Sequence, residues 1–549
     1  MKRKNGILYT LLIAMFVYAV LTWILPVTTY SGDFANQGMV RIGISELLSY
    51  PTYTFYNFIY IFVYLALVCC LYGVLRKIPA YRNLVSKLAS KYKDNELVYN
   101  IILVLLFSVI VSFTGFTYEA MAIMPFVATI LLKSGKDKFT AALVPIGSIA
   151  VGVMGNLFAS SIAGVFVSGL AIEYTALLIA KILFLVVGVA VIVTILRLHD
   201  KKEKEDEEVN DVFFLYEDEK EDKKAKVWPL VTTLVVYLLI KVLAGINWSD
   251  AFGATFFAEL KTQFDGVALF SKYIAFIVCG LTLIGLLVKF IVKKRKNAKT
   301  KFMEALGKVG FVFFIISCVV LGVVFIKVML EDVIKCTTLF TKIYEGLSLE
   351  GITLGTLFGT INAFGAWTYA EYIVLIAVLT IALMIGYRIK PNEMVDNMGH
   401  GFHGGLYALV LCMLGYVLLV TSSNNPIMLT ILKPILTLTK GFNVLTYSIV
   451  TFIAGLFNTD LTYLNYNIIN LTYITGAYGD KTNIFPLIAL INQSMYGLAM
   501  LVAPTSIPMI FGLTTLNMSY KKWIKNIWKL FLVMFVVTLL INVVVLVLI

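Results

Sequence analysis

"LVAPTSIPM", residues 501–509, interrupts what otherwise reads as one more oily helix. Pro504 has no backbone N–H to donate and clashes with the turn before it, and Thr505, Ser506 and Pro508 follow closely. Inside a bilayer an unpaired backbone group is costly, so such a break persists only where it faces a cavity or another protein segment. Which of the two applies depends on the rest of the chain.

The chain has 549 residues, 60% of them hydrophobic and only 14% charged. Apolar runs recur at about the 20-residue length that crosses a bilayer, so an all-α polytopic membrane protein is expected. The formal charge of +13 sits largely in short loops beside those runs. The positive-inside rule accounts for that better than a nucleic-acid partner, which would need a basic face with interleaved aromatics on a soluble module. Six cysteines without CxxC spacing read as small buried hydrophobes.

Spans are expected at 7–27, 52–75, 97–114, 174–198, 227–247, 271–292, 309–330, 367–388, 401–420 and 527–549. Lys2, Arg3 and Lys4 place the N-terminus in the cytoplasm, and parity then puts the C-terminus outside. The basic loop from Arg76 to Lys93 is inside and the loop 28–51 outside. Residues 199–226, "HDKKEKEDEEVNDVFFLYEDEKEDKKAK", read as a solvated, partly disordered cytoplasmic linker joining two halves.

Two segments depart from the simple pattern, and they resemble each other. Residues 112–166 and 455–512 each open with a polar tip, Thr114-Gly115-Phe116 and Asn458-Thr459-Asp460. A half-length apolar helix follows, then a turn, Gly135-Lys136-Asp137 or Gly479-Asp480-Lys481. A longer helix then breaks, at "GNLFASS" in the first segment and at "APTS" in the second. Amphipathic stretches at about 79–92 and 426–438 precede the two hairpins. Parity places the first turn inside and the second outside. The expected fold is therefore two inverted-topology repeats, each with a re-entrant hairpin and a broken helix. Paired interruptions of this kind point to a midplane site. The expected layout is a first repeat over 1–198, the charged loop 199–226, additional membrane helices over 227–348 and a second repeat over 349–549.

Charged groups at mid-depth cost at least ~2.5–3.5 kcal/mol, so each is a functional candidate. Glu119 follows the first tip and Asp460 lies in the second. Asn156, Ser160 and Ser161 at one break, and Asn458, Gln493, Thr505 and Ser506 around the other, suit ion coordination or the orientation of a small polar solute. Lys181 and Lys241, flanked by apolar runs, can snorkel or pair across helices. "HGFHGG" (400–405) reads as a cytoplasmic helix start rather than a metal site, and no metal or organic cofactor is called for.

With these residues in view the chain resembles the YfcC-like carriers, grouped with the DcuC-type C4-dicarboxylate carriers of the ion transporter superfamily. "LTWILPVTTYSG" (21–32) is similar to the family's first-span ending, and "TGFTYEAMAIMP" (114–125) resembles its TGFGEE hairpin. "GNLFASSIAG" (155–164) keeps Asn156 and Phe158 of the family's first break. "QSMYGLAMLVAPTS" (493–506) matches QFGDGFTNLITPTS, and "YKKWIK" (520–525) matches the closing Y-x-KWLK. The resemblance covers about residues 5–198 and 390–540. Tyr496, a further candidate for substrate or ion binding, stands where the family has aspartate, Met500 where it has asparagine, and "TDLTYLN" (459–465) replaces a Gly/Ser-rich tip. The resemblance implies a carrier of small organic ions.

The combined expectation is a secondary active transporter, an exchanger or an ion-coupled symporter, with amino acids as the favoured substrates. Residues 139–161 and 482–506 contain no lysine or arginine, which disfavours a dianion. The alternatives are a C4-dicarboxylate or peptide carrier of the same fold, or a non-transporting scaffold or receptor descended from a carrier. With only three histidines and no GxxxxGK[ST] loop, neither an enzyme nor an ATP-driven pump is expected. The expected partners are a small organic solute and the lipid bilayer, in a multi-pass location in the cell membrane. The choice of Na or H as coupling ion, and a homodimer, stay open.

Overall fold

The computed structural model describes residues 6–115, 117–173, 176–200, 212–216, 225–245, 348–349, 352–353, 367–439, 441–458, 460–461, 463–464 and 471–548, without the side chains of Ser160, Asp200 and Thr472. The chain divides into two compact units, Met1–Asn247 with Gly365–Ile549, and Trp248–Phe364. In the second, the described residues are a short antiparallel pair, Ser348–Leu349 with Ile352–Thr353. The spans expected at 271–292 and 309–330 lie outside the described residues.

The first unit is helical. It begins with α1 (Gly6–Ile24), a small hairpin of β1 (Thr28–Tyr30) and β2 (Phe34–Asn36), and α2 (Ile44–Leu75). Next come α3 (Pro79–Asp94) and α4 (Glu96–Thr114), then the hairpin helices α5 (Thr117–Met121) and α6 (Met124–Lys133). The broken helix is α7 (Lys138–Met154) with α8 (Ser160–Leu170), followed by α9 (Leu178–Asp200) and α10 (Trp228–Gly245). The later part holds α11 (Tyr369–Gly386), α12 (Pro391–Asn424), α13 (Met428–Leu436), α14 (Val444–Phe457) and α15 (Leu471–Tyr478). A 3-10 turn (Thr482–Ile484) leads to the second broken helix, α16 (Phe485–Ala499) with α17 (Ile507–Thr515), and α18 (Tyr520–Leu548) closes the chain.

Among the described residues, eight helices are long and apolar enough to cross a membrane: α1, α2, α4, α9, α10, α11, α12 and α18. They coincide with the eight expected spans that fall on described residues. This is a multi-pass, all-α membrane protein. The two helix breaks fall at the expected places, and the second hairpin lies partly outside the described residues. α3 starts with Pro at its first position and buries Ala80, Tyr81, Val85, Ala89 and Tyr92, leaving Lys91 and Lys93 in its last turn.

α2 and α12 make the most extensive helix–helix contact among the described residues. A Cβ on Gly73 would sit 2.1 Å from the Asn397 carbonyl oxygen, and one on Gly401 2.2 Å from that of Cys69. The backbones touch because neither glycine has a side chain, the small-residue packing that membrane helices favour. "HGFHGG" therefore lies inside α12 rather than at a helix start, and its glycines make the close contacts. Beyond α12, Asn425 is held by Tyr18, which donates to its carbonyl at 2.7 Å, and by Tyr50, which donates to its side-chain oxygen at 2.6 Å.

Within the linker 199–226, the described segment 212–216 differs from the solvated expectation. Val212 and Phe214 are buried, at 4% and 0% exposure, and the segment 212–216 packs against the helices. Its five residues are apolar or aromatic, and burying them outweighs the solvation of the charges on either side.

Candidate functional site

Between α7 and α8 the chain leaves helical geometry at Gly155, and Asn156 closes the gap. Its side-chain oxygen accepts from the Ala159 N–H at 2.9 Å, and its amide donates to the Ala159 carbonyl at 3.4 Å. Ser112 on α4 serves the same break twice. Its hydroxyl donates to the Gly155 carbonyl at 2.6 Å, and its own carbonyl accepts from the Leu157 N–H at 3.0 Å. Gln493 on α16 adds bonds to the Met154 and Asn156 carbonyls at 3.2 and 3.4 Å. The tip glycine, Gly115 (φ 70°), lies against this break: a Cβ there would sit 2.0 Å from the Ser161 Oγ. The Ser160 side chain lies outside the described residues.

The second break is served by α18. Trp523 donates through Nε1 to the Leu501 carbonyl at 2.8 Å, and Tyr520 through its hydroxyl to Val502 at 2.6 Å. The closing "YKKWIK" thus supplies two donors that the interruption at Pro504 requires. The Thr505 hydroxyl donates to the Leu456 carbonyl at 3.0 Å, joining the break to the end of α14. Ser506 is 4% exposed, and its Oγ has no hydrogen-bond partner among the described residues. Much of the polarity freed by the two breaks is therefore met by protein.

Asn458 is buried and accepts from the Asp460 N–H at 3.3 Å; Asp460 in turn accepts from the Tyr463 N–H at 3.4 Å. Glu119, on the short α5, is also buried. Tyr118 and Tyr369 each lie within Coulombic reach of both Glu119 and Asp460. Tyr416 donates to the Tyr118 hydroxyl at 2.5 Å and stacks on Phe58, with ring centroids 4.2 Å apart. Tyr496 lies within Coulombic reach of Tyr118 and Asp460. Tyr118, beside Glu119, packs on Tyr369 with ring centroids 6.1 Å apart, and Tyr463, near Asp460, packs on Phe58 at 5.9 Å, so the two tips border one aromatic group.

Lys241 on α10 completes this locus. Its ammonium donates to the Tyr64 hydroxyl at 2.6 Å, the Glu119 carbonyl at 3.1 Å and the Tyr237 hydroxyl at 3.3 Å. It sits 5.2, 5.4 and 5.8 Å from the ring centroids of Tyr64, Tyr237 and Tyr372, within cation–π range. The pairing of Lys241 across helices was legible in its apolar setting; the tyrosines that surround it were not. Their one sequence signal is abundance, 30 tyrosines in the chain.

On the far side of the first hairpin, its turn is fixed by charge. Lys136 pairs with Glu96 at 2.6 Å, and Asp137 with the His199 ring at 2.7 Å. Asp137 also caps α7 through the Thr140 N–H at 3.0 Å. Burial by itself would raise the Asp137 carboxyl, but hydrogen bonds from His199 and Thr140 outweigh it and hold the group down at about 2.

The DcuC family, described as C4-dicarboxylate anaerobic carriers, matches residues 5–349. No curated protein matches the chain. Among solved structures, the Alcanivorax borkumensis YdaH transporter is similar at 10% identity and a TM-score of 0.40, over 98% of each chain. With its family matched along most of its length, this chain belongs to the DcuC family of C4-dicarboxylate anaerobic carriers and is a membrane transporter.

Proposed function

We propose that the chain is a secondary carrier, an exchanger or ion-coupled symporter, of small zwitterionic or cationic organic solutes, with amino acids as the substrate class. The observation that carries this reading is that the tips bearing Glu119 and Asp460 border one aromatic and hydroxyl group, built from Tyr118, Tyr369, Tyr416, Phe58 and Tyr463. Two carboxylates and a set of hydroxyls suit an ammonium group, and the Ser506 Oγ at the neighbouring break suits a carboxylate or a coupling ion. Lys241 is the cation at this locus, but its three donors go to Tyr64, Tyr237 and the Glu119 carbonyl. It screens Glu119 rather than offering donors to a dianion.

A C4-dicarboxylate is the second reading, favoured by the family's description. Counterflow in sealed vesicles with labelled arginine, ornithine, a neutral amino acid and succinate separates the two. The expected result is exchange of an amino acid, reduced at least about tenfold by Asp460→Asn, the factor that loss of ~1.4 kcal/mol of binding produces. Exchange of succinate alone, indifferent to Glu119→Gln, would overturn the reading.

The same proposal takes the two hairpins as inverted. In support, the first turn neighbours Glu96, His199 and Tyr216, while Gly476 near the second neighbours Tyr30 on the loop expected outside. Single cysteines at 133 and 480 should then react with an impermeant thiol reagent from opposite sides. Reaction of both from one side would remove the inverted arrangement.

A further inference from the structure

The charged linker contains one apolar stretch, "VFFLY" (212–216), between "DKKEKEDEEVND" (200–211) and "EDEKEDKKAK" (217–226). On one side this stretch is held to the α2–α12 pair. Arg76, at the end of α2, donates to the Phe213 carbonyl at 2.8 Å. The Phe213 side chain packs so closely on α12 that a Cβ on Gly404 would sit 2.6 Å from the Phe213 Cβ. On the other side it is held to the first hairpin. Lys133, in the last turn of α6, donates to the Tyr216 carbonyl at 3.1 Å and lies 4.6 Å from the Tyr216 ring centroid. The Tyr216 hydroxyl reaches the Arg82 carbonyl on α3 at 3.3 Å.

Between these attachments Phe214 is fully buried. It lines a small cavity with Met124 and Pro125 of α6, Pro145 of α7, and Gly512 and Thr515 of α17. One aromatic ring therefore sits among the first hairpin and both broken helices, while the residue before it is fastened to a different helix pair. Relative movement of the hairpin and the α2–α12 pair has to break these contacts. A carrier must open its site to each face in turn, and this segment occupies the face that carries the basic loops.

We propose that residues 212–216 are a tethered aromatic plug, bound in a groove between the first hairpin and the α2–α12 pair, which restrains opening toward the basic-loop face. The groove takes an aromatic peptide segment: an apolar seat receives Phe214, a glycine face receives Phe213, and two cations, Arg76 and Lys133, receive the peptide carbonyls. The segment 212–216 thus regulates the carrier from within the chain, independently of which solute it moves.

The test needs no substrate. In a chain with its native cysteines replaced, Ser506→Cys is labelled by an impermeant maleimide applied from the basic-loop side. Phe213→Ala with Phe214→Ala should raise the labelling rate at least about tenfold, as a shift in population toward the open form requires. Joining Phe214→Cys to Ala128→Cys with a short bifunctional thiol reagent, before Ser506→Cys is unblocked, should bring the rate below that of the unlinked protein. Where the alanine variant does not purify intact, the cross-linked variant decides. Labelling rates that are unchanged by the cross-link, or unchanged by the alanines in a protein that elutes and melts like its parent, would overturn the proposal.

Discussion

The first broken unit is held by short polar and charged groups, the second by aromatic rings. In the first, Ser112, Asn156 and Gln493 satisfy the break, and the pairs Lys136–Glu96 and Asp137–His199 fix the turn. In the second, Trp523 and Tyr520 serve the break, while Tyr30 and Tyr473, with ring centroids 4.9 Å apart, pack at the turn. Similar backbone problems are thus solved with different chemistry. The first solution depends on protonation and hydrogen-bond geometry; the second depends on ring volume as well as its donors. The two meet at a glycine, where a Cβ on Gly497 would sit 2.6 Å from the Met154 Cγ and 2.7 Å from the Ala150 carbonyl oxygen.

That meeting point gives the largest expected effect. In Gly497→Ala the Met154 side chain can move aside but the Ala150 carbonyl cannot, so α16 must separate from α7. Overpacking of this kind costs about 1–3 kcal/mol or more. A lower melting temperature of the purified protein, with loss of exchange, is expected; wild-type melting would mean the two units are not locked at this crossing.

Next come the donors of the breaks. Trp523→Phe keeps a ring but strands the Leu501 carbonyl, and Gln493→Ala withdraws its bonds from Met154 and Asn156. Each leaves buried acceptors unpaired, about 1–3 kcal/mol per group. The Trp523 bond is 2.8 Å and the Gln493 bonds are 3.2 and 3.4 Å, so Trp523→Phe should lower the melting temperature more. The reverse order would break the distinction between a rigid aromatic fastening and a looser amide one.

The smallest effect concerns pH and the first turn. The Asp137 carboxyl is lowered from 3.8 to about 2 on folding, so its contribution is complete above 3.8 and disappears as pH falls through about 2. Asp137→Ala also removes the α7 cap, a loss of about 1 kcal/mol. Thermal melts across acid pH should show the wild-type advantage over Asp137→Ala shrinking as the solution is acidified. An advantage that does not change with pH would mean the cap works without its charge.

The order of elements was legible in the sequence because it depends on local signals. Span length, the tips at Gly115 and Asn458, and the break at Pro504 are each written within a few residues. Glu119 and Asp460 stood out because charge is rare in apolar runs. Other features depend on contacts between distant residues, which no periodicity records. Lys241 meets Tyr64 across 177 residues, and Tyr416 meets Tyr118 across 298. "VFFLY" was hidden by its neighbours: the charge of the whole linker outweighed five residues whose burial requires a groove built from other parts of the chain. Thr505 and Trp523 were visible as motif residues, but their backbone partners at Leu456 and Leu501 depend on how the helices fold back.

The crossing of α2 and α12 has a consequence for the surrounding lipid. These helices contain 32 and 34 residues. α12 extends roughly 51 Å at 1.5 Å per residue, against a hydrocarbon layer of ~30 Å, whereas α2 is two helical pieces that meet at a kink at Phe58 (φ −116°, ψ 19°). Excess length is accommodated by leaning or by protruding, and two helices joined backbone to backbone at Gly73 and Gly401 cannot slide past one another to share the adjustment. The piece of α2 that carries Gly73 therefore leans with α12. Phe58, at the kink, stacks on Tyr416 of α12, so a thinner bilayer is expected to act on the pair at that point. Membrane thickness is therefore expected to act on the angle at which Tyr416 meets Tyr118.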